Sequence, residues 1–448
     1  MLIVLLACNL GETNEQPILD ARPSPTPAPT MGYSPLDPIE MPQQSFSSIN
    51  NTTNDNLEIY NLINQVSSDR MMVDISTLQN FHTRHVNSSK TSTTEGIGAA
   101  AAYIEAQFQA IQSQAPSNFY VFTQEFPLEY NGISTVQKNI IAYIQGTEPG
   151  AGTIVMGAHY DSVYIDLTDA TAFAPGADDN GSGVAIIIEL ARILSKRQHR
   201  TSLMFVAFSA EEVGDKGSIA FVRDYIQKNN VDVLGMINLD TLGSDNDRNG
   251  RVINNQVRVY YDPTAKTESA EFARMVNFAA FNLPPGTDFV LQNEIDREGR
   301  YGDHESFSNA GYPAVRLIES LEAKVNGDPN DVIGEIEAGY LEQNAQAVLS
   351  VITSLADGPR PAGNEWNMTL RDRGDGLRTL VWEPVPDAVS YIVALRSPGS
   401  LYYDRQFEVS DTSVDWDGFT ANRFVGLAIA AKDSNGMIGP LSPEYTIP

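Results

Sequence analysis

The chain's 448 residues exceed one ordinary domain, and a hydrophobic share of 42% supports more than one sizeable core. Its formal charge of −28 excludes electrostatic attraction to nucleic acid or to an anionic lipid surface. One cysteine, Cys8, excludes an intrachain disulfide and a thiolate metal cluster.

In chain order, the start closes an apolar run with Leu5-Leu6-Ala7-Cys8. It resembles the leader of bacterial lipoproteins, so residues 1–14 are expected to direct export, with Cys8 as a possible lipid anchor. No later stretch has the about 18 uninterrupted apolar residues that a membrane helix needs. Residues 15–55 are rich in Pro, Ser and Thr, as in 22–30, and read as a disordered linker.

Residues 56–357 read as a globular α/β domain. Helical spacing covers 57–66, 71–81 and the Ala-rich 96–111, followed by strands near 119–126 and 139–145. The runs 153–157, 202–208 and 233–237 are short, apolar and rich in β-branched or aromatic residues, the pattern of buried parallel strands. Helices are predicted over 181–195, 217–228, 267–281 and 337–354, with a strand at 314–318. The alternation predicts a mostly parallel central sheet flanked by helices.

Gly358-Pro359-Arg360-Pro361 punctuates the chain, and residues 362–448 read as a small all-β sandwich. Strands are expected at 378–382, 390–396 and 424–432. Leu380-Val381-Trp382-Glu383-Pro384 and Asp387-Ala388-Val389-Ser390-Tyr391 make the region similar to fibronectin type III domains, with Trp382 and Tyr391 as core aromatics.

The chemistry gathers behind the apolar runs: His159-Tyr160-Asp161, Pro175-Gly176-Ala177-Asp178-Asp179-Asn180, Ala210-Glu211-Glu212 and Asn238-Leu239-Asp240. Ligands of open α/β sheets collect outside the carboxyl ends of the strands. His159 can offer an imidazole nitrogen to a metal, and Asp161, two residues on, can hold the other ring nitrogen. Asp179 sits in a Gly-rich turn from which a carboxylate can bridge two ions. Of the adjacent Glu211 and Glu212, one can bind metal while the other takes a proton from water. Asp240 completes a trio with His159 and Asp179, the donor count of a catalytic zinc. Asp178 and Asn180 read as turn or cap residues. His82, His85 and His199 read as surface residues, with His82 and His85 on one helix face.

These motifs, with Gly181-Ser182-Gly183, Gly302-Asp303-His304-Glu305-Ser306-Phe307 and Gly311-Tyr312-Pro313, resemble the secreted bacterial zinc aminopeptidases. That family shares its fold with glutaminyl cyclases, glutamate carboxypeptidases and the transferrin receptor. The resemblance spans roughly residues 57–356. It implies peptide substrates and two zinc ions: His159 and Asp240 on one, Glu212 on the other, Asp179 between them. It further implies Glu211 as general base, Asp161 as the partner of His159, a cis peptide at Asp179–Asn180, and Asp303 and His304 near the substrate pocket.

One family ligand is missing. Aligned on Asp331, the position of the family's last histidine holds Gly327, and no histidine follows His304. Asp328 or Asp331 could supply an oxygen instead, His304 could turn inward, or the second ion could be weak or absent. Aminopeptidase action is therefore set beside two rivals. One is a carboxypeptidase, for which Arg297, Arg300 and Arg316 are the candidate basic residues. The other is an inactive, metal-depleted surface binding protein.

Overall fold

The computed structural model describes residues 56–247, 249–264, 267–294, 302–322 and 327–448. The predicted leader and linker, Cys8, Arg297 and Arg300 lie outside the described residues.

Three helices open the fold: α1 (Leu57–Ile63), α2 (Ser68–Gln79) and α3 (Gly96–Gln112). Ser67 caps α2 by accepting from Arg70 N, so the helix begins earlier than its apolar spacing predicts. An antiparallel hairpin of two twelve-residue strands follows, β1 (Phe119–Tyr130) and β2 (Ile133–Ile144). The α/β part then runs β3 (Thr153–His159), α4 (Gly183–Leu194), β4 (Ser202–Phe208), α5 (Lys216–Phe221), β5 (Val233–Leu239), β6 (Gln256–Tyr260), α6 (Thr267–Asn282), β7 (Asp288–Gln292), α7 (His304–Asn309), β8 (Ala314–Glu319) and α8 (Ala338–Asp357).

These strands form one sheet in the order β1-β2-β4-β3-β5-β8-β6-β7. Its centre, β4-β3-β5-β8, is parallel throughout. The hairpin joins one side antiparallel through β2 and β4, and β6 joins the other antiparallel through β8. Every residue of β3 is buried, as a continuous apolar run covered on both faces requires. Helix α4 is buried over nearly its whole length, and α8 buries Leu341, Ala345, Val348, Ile352 and Leu355 at helical spacing. The four parallel strands end on one side, and that edge carries the motifs.

Residues beyond 361 form two antiparallel sheets, as predicted. They contain β9 (Thr369–Asp372), β10 (Arg378–Val381), β11 (Ala388–Arg396), β12 (Arg405–Val409), β13 (Ser413–Trp416), β14 (Gly426–Asp433) and β15 (Tyr445–Thr446). The orders are β13-β10-β9 and β12-β11-β14-β15. Trp382 and Tyr391 meet edge to face at 5.3 Å in the core between them.

The junction at 358–361 is a packed seam. All four residues are buried, and a Cβ at Gly439 would come 1.8 Å from the Pro359 carbonyl oxygen. Val393, Leu395, Leu427 and Ile429 face the sandwich core, while the alternate Ile392, Ala394, Ala428 and Ala430 join the core of the α/β domain. Ser354 Oγ donates to Ile438 O at 2.7 Å, and Asn282 and Gln406 exchange side-chain hydrogen bonds at 2.8 and 3.2 Å. The sheet of β11 and β14 is therefore sealed on both faces.

Two histidine expectations are corrected. His85 is fully buried: its Nδ1 accepts from Asn87 N at 3.0 Å and its Nε2 lies 3.0 Å from Leu167 O. His199 is buried between Asp357 Oδ2 at 2.8 Å and Leu194 O at 2.9 Å. With both ring nitrogens satisfied by protein, neither ring needs water. Helix α2 ends at Gln79, before His82 and His85, so they share no helix face. Among the described residues, no helix is long and apolar enough to cross a membrane.

Candidate active site

His159 ends β3 with its ring 1% exposed. Its Nδ1 lies 3.2 Å from the Asp161 carbonyl oxygen, which fixes that nitrogen as the donor and turns Nε2 inward. Around Nε2 stand Asp179 Oδ1 at 3.2 Å, Asp240 Oδ1 at 3.5 Å and Glu211 Oε2 at 3.8 Å. Three sequence-distant motifs thus meet at one nitrogen. The trio His159, Asp179 and Asp240 offers ligand atoms all within 4.8 Å of one another.

Three further residues hold this geometry in place. The Asp161 carboxylate, fully buried, accepts from Glu211 N at 3.1 Å and Glu212 N at 3.2 Å. It stands 3.6 Å from His159 Nδ1, so the expected orienting contact to the ring is made by its backbone carbonyl. Asn180 ties the Asp179 turn to the end of β5: its Nδ2 donates to Leu239 O at 2.8 Å, and its Oδ1 accepts from Gly183 N at 3.0 Å. The Asp179–Asn180 peptide is cis. Asp178 Oδ1 accepts from Gly243 N at 2.8 Å, the turn role expected of it.

Arg84 is the contributor that sequence reasoning missed. Its fully buried guanidinium donates to Tyr160 O at 2.6 Å, Pro175 O at 2.6 Å and Gly176 O at 2.8 Å, clamping the end of β3 to the Asp179 turn. Burial lowers its pKa to about 10, opposed by Asp331, Asp161, Asp179 and Glu212. The turn has to be glycine at 176: φ is +50°, and a Cβ would come 2.6 Å from Arg84 Nη2. Arg84 lies outside any regular element, so no periodicity marks it; only its backbone acceptors reveal its role.

The proposed substitute ligands have other positions. Asp331 receives Asp178 N on Oδ1 and Asp179 N on Oδ2, both at 2.9 Å, and its own carbonyl accepts from Ala177 N. Its carboxylate shapes the turn beneath the trio instead of joining it, because two backbone donors claim one oxygen each. Asp328 Oδ1 accepts from Asn330 N and Nδ2, both at 2.9 Å, which closes a local turn. Gly327 has φ +77°, and a Cβ there would meet the Tyr164 carbonyl carbon at 2.7 Å and Ile165 N at 2.8 Å. No side chain fits at that position without moving this backbone. Glu212 is half-buried, and it belongs to no group of three ligand atoms among the described residues.

Asp303 and His304 lie buried beside the trio but outside it. Burial and the nearby Asp215 push the Asp303 carboxyl well above the usual carboxylate range. Burial and the Arg316 charge press His304 down to about 3, so its ring is neutral. Arg316 itself forms an ion pair with Asp240, Nε to Oδ2 at 3.0 Å, and both side chains are buried. It is therefore withdrawn as a basic residue for holding a substrate carboxylate.

The electrostatics suit a cation. Burial opposes protonation of His159, yet Glu211, Asp161, Asp179 and Asp240 together hold its pKa well above the ordinary value. Burial, aided by Asp215, Asp240 and Glu212, pushes Glu211 well above the carboxylate range against the pull of His159. Buried carboxylates converging on one imidazole nitrogen fit the donor chemistry of a divalent ion such as zinc.

Fold and site together define a class: an α/β domain with a metal-type His/Asp/Asp trio and a desolvated glutamate at the strand ends. Within that class, residues 139–352 match the family model described as Peptidase family M28. A probable zinc metalloprotease of Leptosphaeria maculans is 29% identical over 384 residues, covering 79% of this chain and 89% of its own. Another probable zinc metalloprotease, from Phaeosphaeria nodorum, is 29% identical over 411 residues, covering 81% and 82%. Among solved structures, LapB from Legionella pneumophila aligns with TM-score 0.54 at 21% identity, covering 69% of this chain and 77% of that one. An aminopeptidase from Aneurinibacillus sp. strain AM-1 aligns with TM-score 0.51 at 18% identity, covering 67% and 96%. At those identities the structural likeness is one of fold.

Proposed function

We propose that this chain is a zinc-dependent exopeptidase, and specifically an aminopeptidase that removes N-terminal residues from peptides. The observation that carries the reading is the placement of Glu211 Oε2 3.8 Å from the nitrogen on which the His159, Asp179 and Asp240 trio converges. His159 Nε2 and the oxygens of Asp179 and Asp240 would hold zinc. When bound, zinc polarises a scissile carbonyl and lowers the pKa of water.

The chain's own residues account for the rest. Asp161 fixes the backbone of Glu211 and Glu212 through two amide hydrogen bonds. Glu211, desolvated and among other carboxylates, has the raised affinity for a proton that a general base at neutral pH requires. It takes the proton of the attacking water at Oε2 and passes it to the leaving amine. The relatives' zinc-metalloprotease names and the aminopeptidase fold neighbour support the substrate class.

The test is hydrolysis of amino-acid nitroanilides and of peptides blocked at either end, with zinc content measured in parallel. Cleavage should need a free N-terminus. Glu211→Gln should lower kcat by about 10²–10⁴-fold while leaving zinc in place. Wild-type turnover in that variant, or cleavage confined to N-blocked peptides, refutes the reading.

A second reading, a binding protein on the peptidase fold, is favoured by Gly327; purified protein that takes up no zinc would select it. The two C-terminal sheets form a fibronectin type III-like module, a reading supported by their three- and four-stranded orders. The protein is exported, a reading supported by the Leu5–Cys8 pattern and the Pro-rich stretch and checked by fractionation of expressing cells.

A further inference from the structure

Asp240 has one oxygen on each side of a boundary. Oδ1 lies 3.5 Å from His159 Nε2, inside the trio, whereas Oδ2 lies 3.0 Å from Arg316 Nε. Arg316 stands on β8, in register with Asn238 of the parallel neighbour β5, so the sheet itself delivers the guanidinium to Asp240. The two side chains are 2% and 1% exposed. Gly302 keeps room for the arginine: a Cβ there would come 3.2 Å from Arg316 Cδ and 3.3 Å from His304 Nδ1.

A buried carboxylate without a cation is strongly unfavourable. Two divalent ions would satisfy a full pair of half-sites, but the Glu212 half has no third donor among the described residues, and Gly327 cannot carry one. The trio, by contrast, already has a permanent cation on one of its ligands.

We infer that Arg316 is the resident counter-cation of a one-ion centre, neutralising Asp240 in the ion-free protein and holding zinc affinity below that of the bare trio. This rests on the reading of His159, Asp179 and Asp240 as metal ligands. Two opposing effects decide the direction. A hydrogen-bonded neighbour that orients a ligand raises metal affinity, by about 10–100-fold in typical cases. A fixed positive charge beside the ligand repels a divalent ion, strongly so in a buried site. The Asp240 backbone is held independently of Arg316, through its own amide on Leu317 O at 3.0 Å, so removal of the arginine leaves the strand end in place, and in a buried site the charge effect outweighs the lost side-chain orientation.

The experiment compares wild type, Arg316→Met and Arg316→Lys in three measurements: zinc dissociation constant by chelator competition, ions per chain by native mass spectrometry, and melting with and without zinc. Wild type should bind one zinc per chain. Arg316→Met should bind zinc at least tenfold more tightly and melt markedly lower without zinc, with most of that loss recovered when zinc is added. Arg316→Lys, which keeps the charge, should stay close to wild type. If Arg316→Met folds only when zinc is present, the inference is supported in its strongest form.

Equal melting losses with and without zinc, with affinity unchanged or weaker, would reduce Arg316 to a core residue and overturn the inference. So would two ions per wild-type chain. Absence of zinc from wild type is a different failure: it removes the metal-centre reading, and this inference with it.

Discussion

The two halves of the proposed metal centre are built to different standards. On one side, His159, Asp179 and Asp240 converge from β3, the 177–182 turn and the end of β5, and the ligand atoms lie within 4.8 Å of one another. Each has a support: the Asp161 carbonyl on the ring, Asp331 and Asn180 on the turn, Leu317 O on the Asp240 amide. On the other side, Glu212 is half-buried, and the position that would complete its half is a glycine in left-handed backbone. The difference teaches that a site's family resemblance is the sum of independent parts. Those fixed by strand ends and backbone hydrogen bonds persist, while a ligand carried on a loop can be absent with its turn still intact.

The largest effect tests the complete half. His159→Ala removes its one nitrogen donor, so zinc should fall from one ion per chain to nearly none, and hydrolysis by on the order of 10³-fold or more. Metal analysis by plasma mass spectrometry and an aminopeptidase assay on the same preparation check both. Retained zinc would mean that the carboxylates bind the ion unaided and that the half is less dependent on its histidine than its geometry indicates.

The next test asks whether the incomplete half can be repaired. Gly327→His restores the missing residue type but not the space for it, since φ is +77° and the Tyr164–Ile165 backbone occupies the Cβ position. The substitution should lower stability by about 1–3 kcal/mol from the backbone conformation alone. Native mass spectrometry should still report one zinc per chain. Gain of a second ion, with melting unchanged, would show that the 327–331 turn rearranges readily and that the two halves differ only by one side chain.

Much of the complete half was legible in the sequence for a physical reason. Buried parallel strands are continuous apolar runs, so residues 153–157, 202–208 and 233–237 announced both the sheet and the strand ends where His159, Glu211 and Asp240 stand. The short strands β6 and β7 were missed: Gln256–Tyr260 carries Arg258 at its centre, and five residues give too little alternation to read. Asp331 is reached only through the family motif, as one of several possible substitute ligands, and its carboxylate accepts the Asp178 and Asp179 amides; a carboxylate that binds metal and one that binds amides look alike in sequence. Arg84 and Arg316 were unreadable as partners, since their acceptors are backbone carbonyls and a carboxylate brought in by tertiary packing. The seam between the domains was hidden by small residues: Ala428 and Ala430 look like interior sandwich positions, yet they face the α/β core.

The smallest expected effect separates the halves most sharply, because it compares neighbouring residues of one type. Glu211 points its carboxylate at the trio, with Oε2 3.8 Å from His159 Nε2, whereas Glu212 lies outside the trio's group of ligand atoms. Both take their backbone placement from the same Asp161 carboxylate, so replacing either side chain leaves the turn's amide hydrogen bonds intact. Glu212→Gln should therefore reduce kcat/KM by less than about tenfold and leave zinc at one per chain, against the loss of about 10²–10⁴-fold expected for Glu211→Gln. If Glu212→Gln proved as damaging as Glu211→Gln, a carboxylate outside the trio would be needed for turnover, and the incomplete half would have to be functional despite Gly327. If it also released an ion from a wild type holding two, the asymmetry would be one of affinity and not of construction. Near-wild-type turnover with one zinc retained would confine the chemistry to the half that His159, Asp179 and Asp240 define.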